Sequence, residues 1–419
     1  MTIVAVDIRA NHDTGVARYG RALLAAAAPI AAEQGIHLLA IVRPGQEHAA
    51  EPAVTAGHEV IAMPGDDGFI RDNPRLRNLL TARGVDLFHT THYTVDRSCP
   101  VPFSFTIHDL TRMRFPQWSY SDSSFAQRFG AAELDRVKAE LADLPAFDNT
   151  DPDASLFTRY FAALNRHLGT RAERIAAVSD STAADVTTYL GVPPSRIDLV
   201  PCGVDTATFF PRPSGEVSAA RAKHGLGGGP YLIFVGLAHP NKRFEWLVEQ
   251  LAKARATFPP GSRLAAVGGH AERAAAIQAL LPEVDAAEFV SFTGRVSDDE
   301  LAALYTGASA WVTASVNEGN NLPPLEALAC GSEVIATDIP PLRETLAQHA
   351  HFYPPTDGAA LASQASAALS DQVPPLARGF TPPSWRRSAM LLVESWQRAI
   401  TGSATSARPD AVTRYGAAR

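Results

Sequence analysis

The chain has 419 residues, a length that allows two domains of ordinary size. Its formal net charge of −7 argues against a nucleic-acid-binding protein, which normally shows a basic face. No run of about 18 apolar residues occurs, so we predict no transmembrane segment. The three cysteines are too few and too scattered for a disulfide framework or a zinc site. These features fit a cytoplasmic enzyme.

The first half of the chain alternates short apolar runs with longer amphipathic stretches. Residues 2–9, "TIVAVDIR", are predicted to form a buried strand, followed by a loop and a helix through Leu24. Further strands are predicted, in chain order, at "HLLAIV", "VDLFHTT", "FSFTIHDL", "RIAAVS" and "IDLVPCGVD". Such alternation indicates a parallel sheet, so residues 1–213 are predicted to form an α/β domain.

One segment of this domain, about residues 122–168, contains no convincing strand. Its apolar residues recur at helical spacing, which predicts a helical excursion: Phe125, Phe129, Val137, Leu141 and Leu144. The "DPD" run at residues 151–153 resembles an Asp-x-Asp metal motif. Since an Asp-Pro pair in a polar cluster is more typical of a turn, we predict no metal site.

The second half repeats the α/β pattern after a change in composition. Residues 214–230 are charged and glycine-rich, and "KHGLGGGP" is interpreted as a linker. The strand-like runs "YLIFVG", "RLAAVGG", "VSFTGR", "AWVTAS", "EVIATD" and "HFYPP" then predict a doubly wound domain over residues 214–383. Ligands of such folds bind at the carboxyl ends of the strands, so two facing domains predict a cleft. The polar residues 401–419 are expected to be disordered.

Two loops of the second domain are suited to ligand binding. Lys242 directly precedes a predicted helix, whose free amides and dipole favour an anion, although a solvated surface lysine is the alternative. Gly294 ends a strand and would let a ligand approach the backbone, although a plain turn glycine is the simpler interpretation. Ser297 and Glu300 are predicted to form a capping box after it.

The stretch "SVNEGNNLPPLEALACG" contains two glutamates with seven residues between them. Glu318 follows the strand "AWVTAS", and Pro323 and Pro324 fit the first turn of a helix. Glu326 then lies near the positive end of the helix dipole, where residues 319–322 present free N–H groups. Two carboxylates beside an anion cradle suit a ligand with a central diphosphate and hydroxyls at both ends. A capped helix with a surface glutamate is the alternative.

With these motifs in place, the chain resembles the retaining glycosyltransferases of family four, the group 1 glycosyltransferases. That family is marked by Glu-x7-Glu in the context Glu-Gly-Phe-Gly-Leu-Pro-x-x-Glu-Ala, which stands here as "EGNNLPPLEALACG". Further matches extend over nearly the whole chain: "GVARYG", "TIHDL", "AVSDST", "VPCGVD", "VGLAHPNK", "FTGRVSDDELAALY" and "DIPPLRE".

The resemblance implies the GT-B architecture, an α/β fold of two Rossmann-like doubly wound parallel-sheet domains facing a cleft. The first domain would serve the acceptor and the second would bind the nucleotide sugar. The last helix, about residues 384–400, resembles the family's C-terminal helix and is expected to pack back on the first domain.

The resemblance also implies a role for each motif residue of the second domain. Glu326 would bind the ribose of the nucleotide sugar. Glu318, at the hydroxyls of the donor sugar, and Lys242, at the diphosphate, would be catalytic residues. The remaining donor-binding residues would be Arg243, Gly294, Arg295, Val296, Gly319, Asn320, Asn321 and Leu322.

In the first domain, the resemblance places His108 beside the donor sugar as a catalytic residue. Gly15 and Asp109 would belong to a loop that borders the acceptor and the phosphate. A histidine at a strand end next to an aspartate is often structural, which is the alternative for His108.

Two departures from the family pattern bear on the donor. Leu237 stands where the family usually has an arginine, so the diphosphate clamp would keep one cation, Lys242, unless Arg243 substitutes from the next position. Asn320 and Asn321 replace the usual Phe-Gly pair. Asparagine tolerates a left-handed backbone, and its amides would alter the sugar preference.

The implied reaction is transfer of a hexose from a nucleoside-diphosphate sugar to a hydroxyl of a glycan or natural-product acceptor, with retention of configuration. The nucleotide sugar is a co-substrate, and no cofactor or metal is expected. GDP-mannose is the first choice of donor, because "DIRANHDTGVARYGRALL" is most similar to members that build mannose- or rhamnose-containing polysaccharides.

Three alternatives to this hexosyltransferase share the fold. They are a sugar-nucleotide epimerase, a pseudo-glycosyltransferase that makes no normal glycosidic bond, and a non-catalytic sugar-nucleotide binder. The expected partners are the nucleotide sugar and a hydroxyl acceptor, without nucleic acid and with peripheral membrane contact at most. The oligomeric state stays open.

Overall fold

The structure is a computed structural model. It describes residues 1–9, 14–64, 73–93, 95–144, 154–236, 240–268, 271–281 and 288–402. The chain divides into two compact units. The first contains residues 1–203 together with the segment that begins at Ser384, and the second contains Val204–Pro383.

The first unit is built on a parallel sheet of seven strands. They are β1 (Thr2–Asp7), β2 (Ile36–Val42), β3 (Glu59–Ala62), β4 (Leu87–Thr90), β5 (Phe103–Ile107), β6 (Arg174–Ala177) and β7 (Ile197–Leu199). Their order across the sheet is β3-β2-β1-β4-β5-β6-β7, and every pairing is parallel. All residues of β4, β5, β6 and β7 are buried, as expected for strands covered on both faces.

Eight helices connect these strands. They are α1 (Gly15–Glu33), α2 (Glu51–Thr55), α3 (Pro74–Ala82), α4 (Thr111–Arg114), α5 (Asp122–Phe129), α6 (Ala131–Asp143), α7 (Leu156–Arg171) and α8 (Asp180–Leu190). Helix α1 begins at the Thr14 cap and continues past Leu24 to Glu33, with Pro29 inside it. The predicted helix was therefore too short, because burial of residues such as Ala28 and Ile30 outweighs the hydrogen bond that the proline removes.

The stretch predicted to be a helical excursion contains α5, α6 and α7. Phe125 is fully buried and stacks on Phe157 with a centroid distance of 5.0 Å. The Asp122 carboxylate accepts a hydrogen bond of 2.8 Å from the N–H of Leu156, which ties the start of α5 to the start of α7. These contacts make the three helices part of the first unit's core.

The second unit contains a parallel sheet of six strands, which correspond to the six predicted runs. They are β8 (Tyr231–Val235), β9 (Arg263–Val267), β10 (Val290–Gly294), β11 (Ala310–Val312), β12 (Glu333–Thr337) and β13 (His351–Tyr353). Their order is β10-β9-β8-β11-β12-β13. Along β8, Tyr231 and Ile233 join one hydrophobic core while Leu232 and Phe234 join another, so the sheet is packed on both faces.

The described helices of the second unit are α9 (Ser214–Lys223), α10 (Phe244–Lys253), α11 (Ala271–Leu280), α12 (Asp298–Gly307), α13 (Leu322–Ala329), α14 (Pro340–Leu346) and α15 (Gly358–Leu369). The stretch interpreted as a linker is instead part of this unit, since it contains α9. Leu226 is fully buried, and Arg221 donates to the carbonyl of Gly227. The unit already begins at Val204, whose N–H donates to the carbonyl of Pro383 at 2.8 Å.

The last helix, α16 (Trp385–Thr401), belongs to the first unit, where it packs on α1 and β6. Its Trp396 is fully buried, and its Ser395 hydroxyl donates to Asp198 of β7 at 2.7 Å. The first unit is therefore discontinuous in sequence. The predicted disordered tail lies outside the described residues beyond residue 402. Among the described helices, none is both long enough and apolar enough to cross a bilayer.

Candidate functional site

The strand order of the second unit reverses between β8 and β11. In open α/β sheets, ligands bind outside the carboxyl ends of the strands at such a reversal. Lys242 lies in the connection that follows β8, and Glu318 lies in the connection that follows β11. Both residues were predicted from separate motifs, and the topology brings them to the same end of the sheet.

Lys242 and Glu318 form an ion pair, with 2.9 Å between the lysine Nζ and the carboxylate Oε1. Their side chains are 17% and 10% exposed, so the pair is largely shielded and still reachable from solvent. Gly236, with a φ of 101°, makes room for it, because a Cβ there would approach Cε of Lys242 to 3.2 Å. A glycine at the end of β8 thus allows the lysine to lie against the backbone.

Asn241 joins the two loops that carry this pair. Its side-chain amide donates to the carbonyl of Asn317 at 2.7 Å, and its own carbonyl accepts from the N–H of Val316 at 3.0 Å. Asn241 is only 6% exposed. It is therefore a structural link between the two loops. The sequence offered no signal for this contact, which joins the loops after two adjacent strands, β8 and β11, that are far apart in the chain.

Buried hydroxyl groups at the end of β11 position the Glu318 carboxylate. The Ser315 hydroxyl donates to Oε1 of Glu318 at 2.7 Å, and the hydroxyls of Thr313 and Ser315 lie 2.8 Å apart. Thr337 donates to the carbonyl of Ser315 at 2.5 Å. Sequence reasoning missed these three residues. Thr313 and Ser315 lie within five residues of Glu318 but belong to no recognised motif, and Thr337 reaches Ser315 only when β11 and β12 are paired.

Helix α13 begins at Leu322 with Pro323 and Pro324 in its first turn, as predicted. Asn321 precedes it with a φ of 57°, so the left-handed backbone expected for this asparagine is present. Its side chain makes no capping hydrogen bond. Helix α13 thereby starts next to the loop that carries Gly319 and Glu318.

The two asparagines differ in their side-chain environments. The Asn320 amide donates to the Thr345 hydroxyl at 3.3 Å, and the residue is 4% exposed, so it faces the interior of the unit. The amide thus already has a partner within the unit, and the contact of Asn320 with the donor sugar stays a prediction. The Asn321 residue is half-buried, and its Nδ2 has no hydrogen-bond partner among the described residues.

Glu326 lies in the second turn of α13 and is 3% exposed. Its charge acts on Cys330, the residue that follows α13, whose thiol pKa rises to about 12, mainly through burial and secondly through the Glu326 charge. The ribose contact of Glu326 stays a prediction.

The Arg243 side chain contacts two other groups of the second unit. It precedes α10 with a φ of 49°, donates to the carbonyl of Pro355 at 3.0 Å, and lies 4.1 Å from the ring centroid of Trp246. Burial lowers the pKa of its guanidinium below the ordinary value. A diphosphate would have to draw it away from both contacts, so Lys242 is the cation already in position. The other departure, Leu237, lies outside the described residues.

Gly294 ends β10 with a φ of 66° and accepts a hydrogen bond of 2.8 Å from the N–H of Gly268. Arg295 follows it in the loop before α12, and the half-buried Val296 packs against the core. Ser297 caps α12 by accepting from the N–H of Glu300. The predicted capping box is only half formed, because the Glu300 carboxylate instead binds Lys223 and His224 of the α9 region.

His108 follows β5 in the first unit, with its Nε2 2.9 Å from the carbonyl of Thr91. Its ring meets Tyr19 edge-on at 4.8 Å, and burial lowers its pKa below the ordinary value. Because a carbonyl can only accept, Nε2 carries the proton of the neutral imidazole and Nδ1 is an acceptor.

Asp109 accepts from the N–H of Thr111 and thereby begins α4, while the exposed Gly15 is the first residue of α1. The assignments of His108, Asp109 and Gly15 to donor sugar, acceptor and phosphate stay predictions. Within the described ranges, no group of three or more His, Cys, Asp or Glu side chains could hold a metal ion.

Two Rossmann-like parallel-sheet units, one with a lysine–glutamate pair at its strand reversal, define a protein of the GT-B class. A family model described as Glycosyltransferase Family 4 matches residues 15–208, and one described as Glycosyl transferases group 1 matches residues 229–371. Together the two matches extend over most of the chain. The chain belongs to the group 1, family 4 glycosyltransferases, as its motifs predicted.

Two curated relatives illustrate the family. The chain is 26% identical to the O-antigen chain mannosyltransferase RfbU of Salmonella typhimurium, over 49% of this chain and 54% of that protein. It is 29% identical to a D-inositol 3-phosphate glycosyltransferase of Mycobacteroides abscessus, over 57% of this chain and 54% of that protein. The chain thus spans about half the length of the curated relatives it matches.

Among solved structures, Anabaena HepE in complex with UDP-glucose is similar, with a TM-score of 0.64 and 14% identity. The match covers 96% of this chain and 100% of that one. At this identity the likeness concerns the fold alone. It confirms the predicted fold class of two Rossmann-like units.

Proposed function

We propose that the protein is a retaining glycosyltransferase that moves a hexose from a nucleoside-diphosphate sugar to a hydroxyl of a glycan or natural-product acceptor. The observation that carries this proposal is the contact of 2.9 Å between Lys242 and Glu318 at the strand reversal of the second unit. This contact supports the proposal because a cation suited to a diphosphate lies next to a carboxylate suited to sugar hydroxyls, at the end of the sheet where α/β folds bind nucleotides.

Lys242 is proposed to neutralise the charge that grows on the diphosphate as the glycosidic bond breaks. Its ammonium group donates up to three hydrogen bonds, and Glu318 uses one of them. The free N–H groups at the start of α13 would add further stabilisation of the leaving group. Because these groups can carry the developing charge, the proposed reaction requires no metal or other cofactor.

Glu318 is proposed to bind hydroxyls of the donor sugar rather than to form a covalent bond with it. Its Oε1 already accepts from both Lys242 and Ser315, which lowers the nucleophilicity of the carboxylate. The acceptor hydroxyl would then attack the anomeric carbon from the face that the diphosphate leaves. A diphosphate oxygen would take the acceptor's proton, and the products would be the glycoside and the nucleoside diphosphate.

The identity of the donor is proposed from relatives. The name of RfbU assigns it a mannosyl group, which supports a hexose and keeps GDP-mannose as the first choice. HepE has been solved with UDP-glucose, so uridine is the base to compare with guanosine. A cytoplasmic location is proposed as well, since all three cysteines are free and buried, which suits a reducing compartment.

The test is titration calorimetry with UDP, GDP, ADP and their common sugars on the wild type and on Glu326→Ala. We expect saturable binding of one nucleotide series, with at least tenfold weaker binding in the variant because the ribose loses a charged acceptor. If the wild type binds no nucleotide, the glycosyltransferase proposal is wrong. Equal binding by the variant would remove Glu326 from the donor site.

A further inference from the structure

Two hydrogen-bond donors converge on a single oxygen of Glu318. Oε1 accepts from Lys242 at 2.9 Å and from Ser315 at 2.7 Å. Among the described residues, no hydrogen bond to Oε2 is present, and the side chain is 10% exposed. The carboxylate is therefore anchored at one oxygen, while the other remains available to a ligand.

We propose that Ser315 is the positioning residue that holds Glu318 by Oε1 and leaves Oε2 to accept a hydroxyl of the donor sugar. This inference rests on the proposed function and adds to it a residue that no motif assigns. Ser315 is itself fully buried. It therefore acts through Glu318 and does not touch the donor.

The hydroxyl groups behind Ser315 fix the direction of its proton. Ser315 gives its proton to Glu318, so in the contact of 2.8 Å with Thr313 the threonine is the donor. The backbone of this segment is held in turn, because Tyr353 donates to the carbonyl of Thr313 at 2.7 Å and Thr337 donates to that of Ser315. All of these residues are 1% exposed or less, so the support behind Glu318 is rigid and dry.

The two donors on Oε1 differ in what a nucleotide does to them. A diphosphate attracts the mobile Lys242 ammonium, which would loosen its bond to Glu318. The Ser315 hydroxyl has no such competitor, because it is shielded from solvent. Ser315 therefore keeps Glu318 oriented while Lys242 turns to the phosphates.

The proposal is tested with Ser315→Ala by calorimetric titration of two ligand pairs, GDP with GDP-mannose and UDP with UDP-glucose. In the pair that the wild type binds, we expect the nucleotide sugar to bind about tenfold more weakly to the variant, because a hydrogen bond that orients a charged group is lost. The bare nucleoside diphosphate, which does not reach Oε2, should bind within about twofold of the wild type.

Two further variants separate positioning from simple loss of packing. Ser332→Ala removes a buried hydroxyl of the same unit that faces only the carbonyl of Glu333, and it should leave both affinities unchanged. In the Glu318→Gln background, adding Ser315→Ala should cost less affinity for the nucleotide sugar than it does in the wild type.

Several results would overturn the proposal. Equal weakening of the nucleoside diphosphate and its sugar would show that Ser315 only supports the fold of the site. Undiminished binding of the nucleotide sugar by Ser315→Ala, or full additivity with Glu318→Gln, would show that Ser315 does not act through Glu318. Should the wild type bind no nucleotide at all, the proposed function fails first, and this inference fails with it.

Discussion

Each unit carries an ion pair at the end of the sheet where its strand order reverses, and the two pairs are built differently. In the first unit, Arg9 contacts both oxygens of Asp7, at 3.0 and 2.7 Å, and also donates to the carbonyl of Pro64. In the second unit, Lys242 and Glu318 share a single contact. Both carboxylate oxygens of Asp7 are therefore bound to Arg9, whereas only one carboxylate oxygen of Glu318 is bound to Lys242.

The difference indicates which pair maintains structure and which can exchange partners. Asp7 and Arg9 are 3% and 8% exposed, and the backbone N–H of Arg9 also donates to Asp7. A bidentate arginine contact of this kind is rigid. A lysine is a mobile point charge, so Lys242 can leave Glu318 for a phosphate at little cost. The following predictions test this contrast, from the largest expected effect to the smallest.

Breaking the Asp7–Arg9 pair should have the largest effect, a loss of stability. Asp7→Asn removes the negative charge that faces the buried Arg9 guanidinium, so the free energy of unfolding should fall by about 3–5 kcal/mol. The measurement is urea denaturation followed by circular dichroism. As a matched control, Glu59→Gln breaks the exposed pair with Arg83 and should leave the unfolding midpoint unchanged. A midpoint for Asp7→Asn equal to that of the wild type would contradict a structural role.

Removing the cation of the Lys242–Glu318 pair should reduce the rate of catalysis instead. Lys242→Met keeps the length of the side chain but removes its charge, so the rate of transfer from the preferred nucleotide sugar should fall about 100-fold to 1000-fold. The measurement is nucleoside diphosphate release in the presence of acceptor. Lys253→Met, which removes a surface lysine paired with Glu249, serves as control and should retain wild-type rates. A loss of less than tenfold would exclude Lys242 as the principal diphosphate cation.

Neutralising Glu318 in the Lys242–Glu318 pair should have the smallest effect. It should strengthen, not weaken, the binding of the nucleoside diphosphate without its sugar. In Glu318→Gln, Lys242 no longer faces a carboxylate, so the nucleoside diphosphate should bind about threefold to fivefold more tightly, as expected for removing one nearby charge. Calorimetry measures this. Weaker binding of the bare nucleotide would mean that Glu318 orients Lys242 and does not compete for it.

The fold was largely predictable from local patterns, with informative exceptions. All six strands of the second sheet coincide with apolar runs, whereas β3 was not predicted, because its four residues are only partly buried and carry little periodicity. The glycine-rich stretch around α9 was misinterpreted as a linker. Its composition is typical of a linker, yet Ala220 and Leu226 are buried in the second unit.

By itself, the sequence determined the alternating α/β pattern of both units, the family, and the positions of Lys242, Glu318 and Glu326 in their motifs. These depend on periodicity and on motif spacing, both of which are local properties of the chain. Only the tertiary structure decided that Lys242 meets Glu318, that Asn241 joins their loops, and that Thr337 holds the backbone carbonyl of Ser315. Lys242 and Asn241 bond to residues 76 positions away in the chain, which the parallel pairing of β8 with β11 brings close. Such contacts leave no periodic trace in the sequence, because hydrogen bonding between loops depends on distances that the folded sheet alone sets.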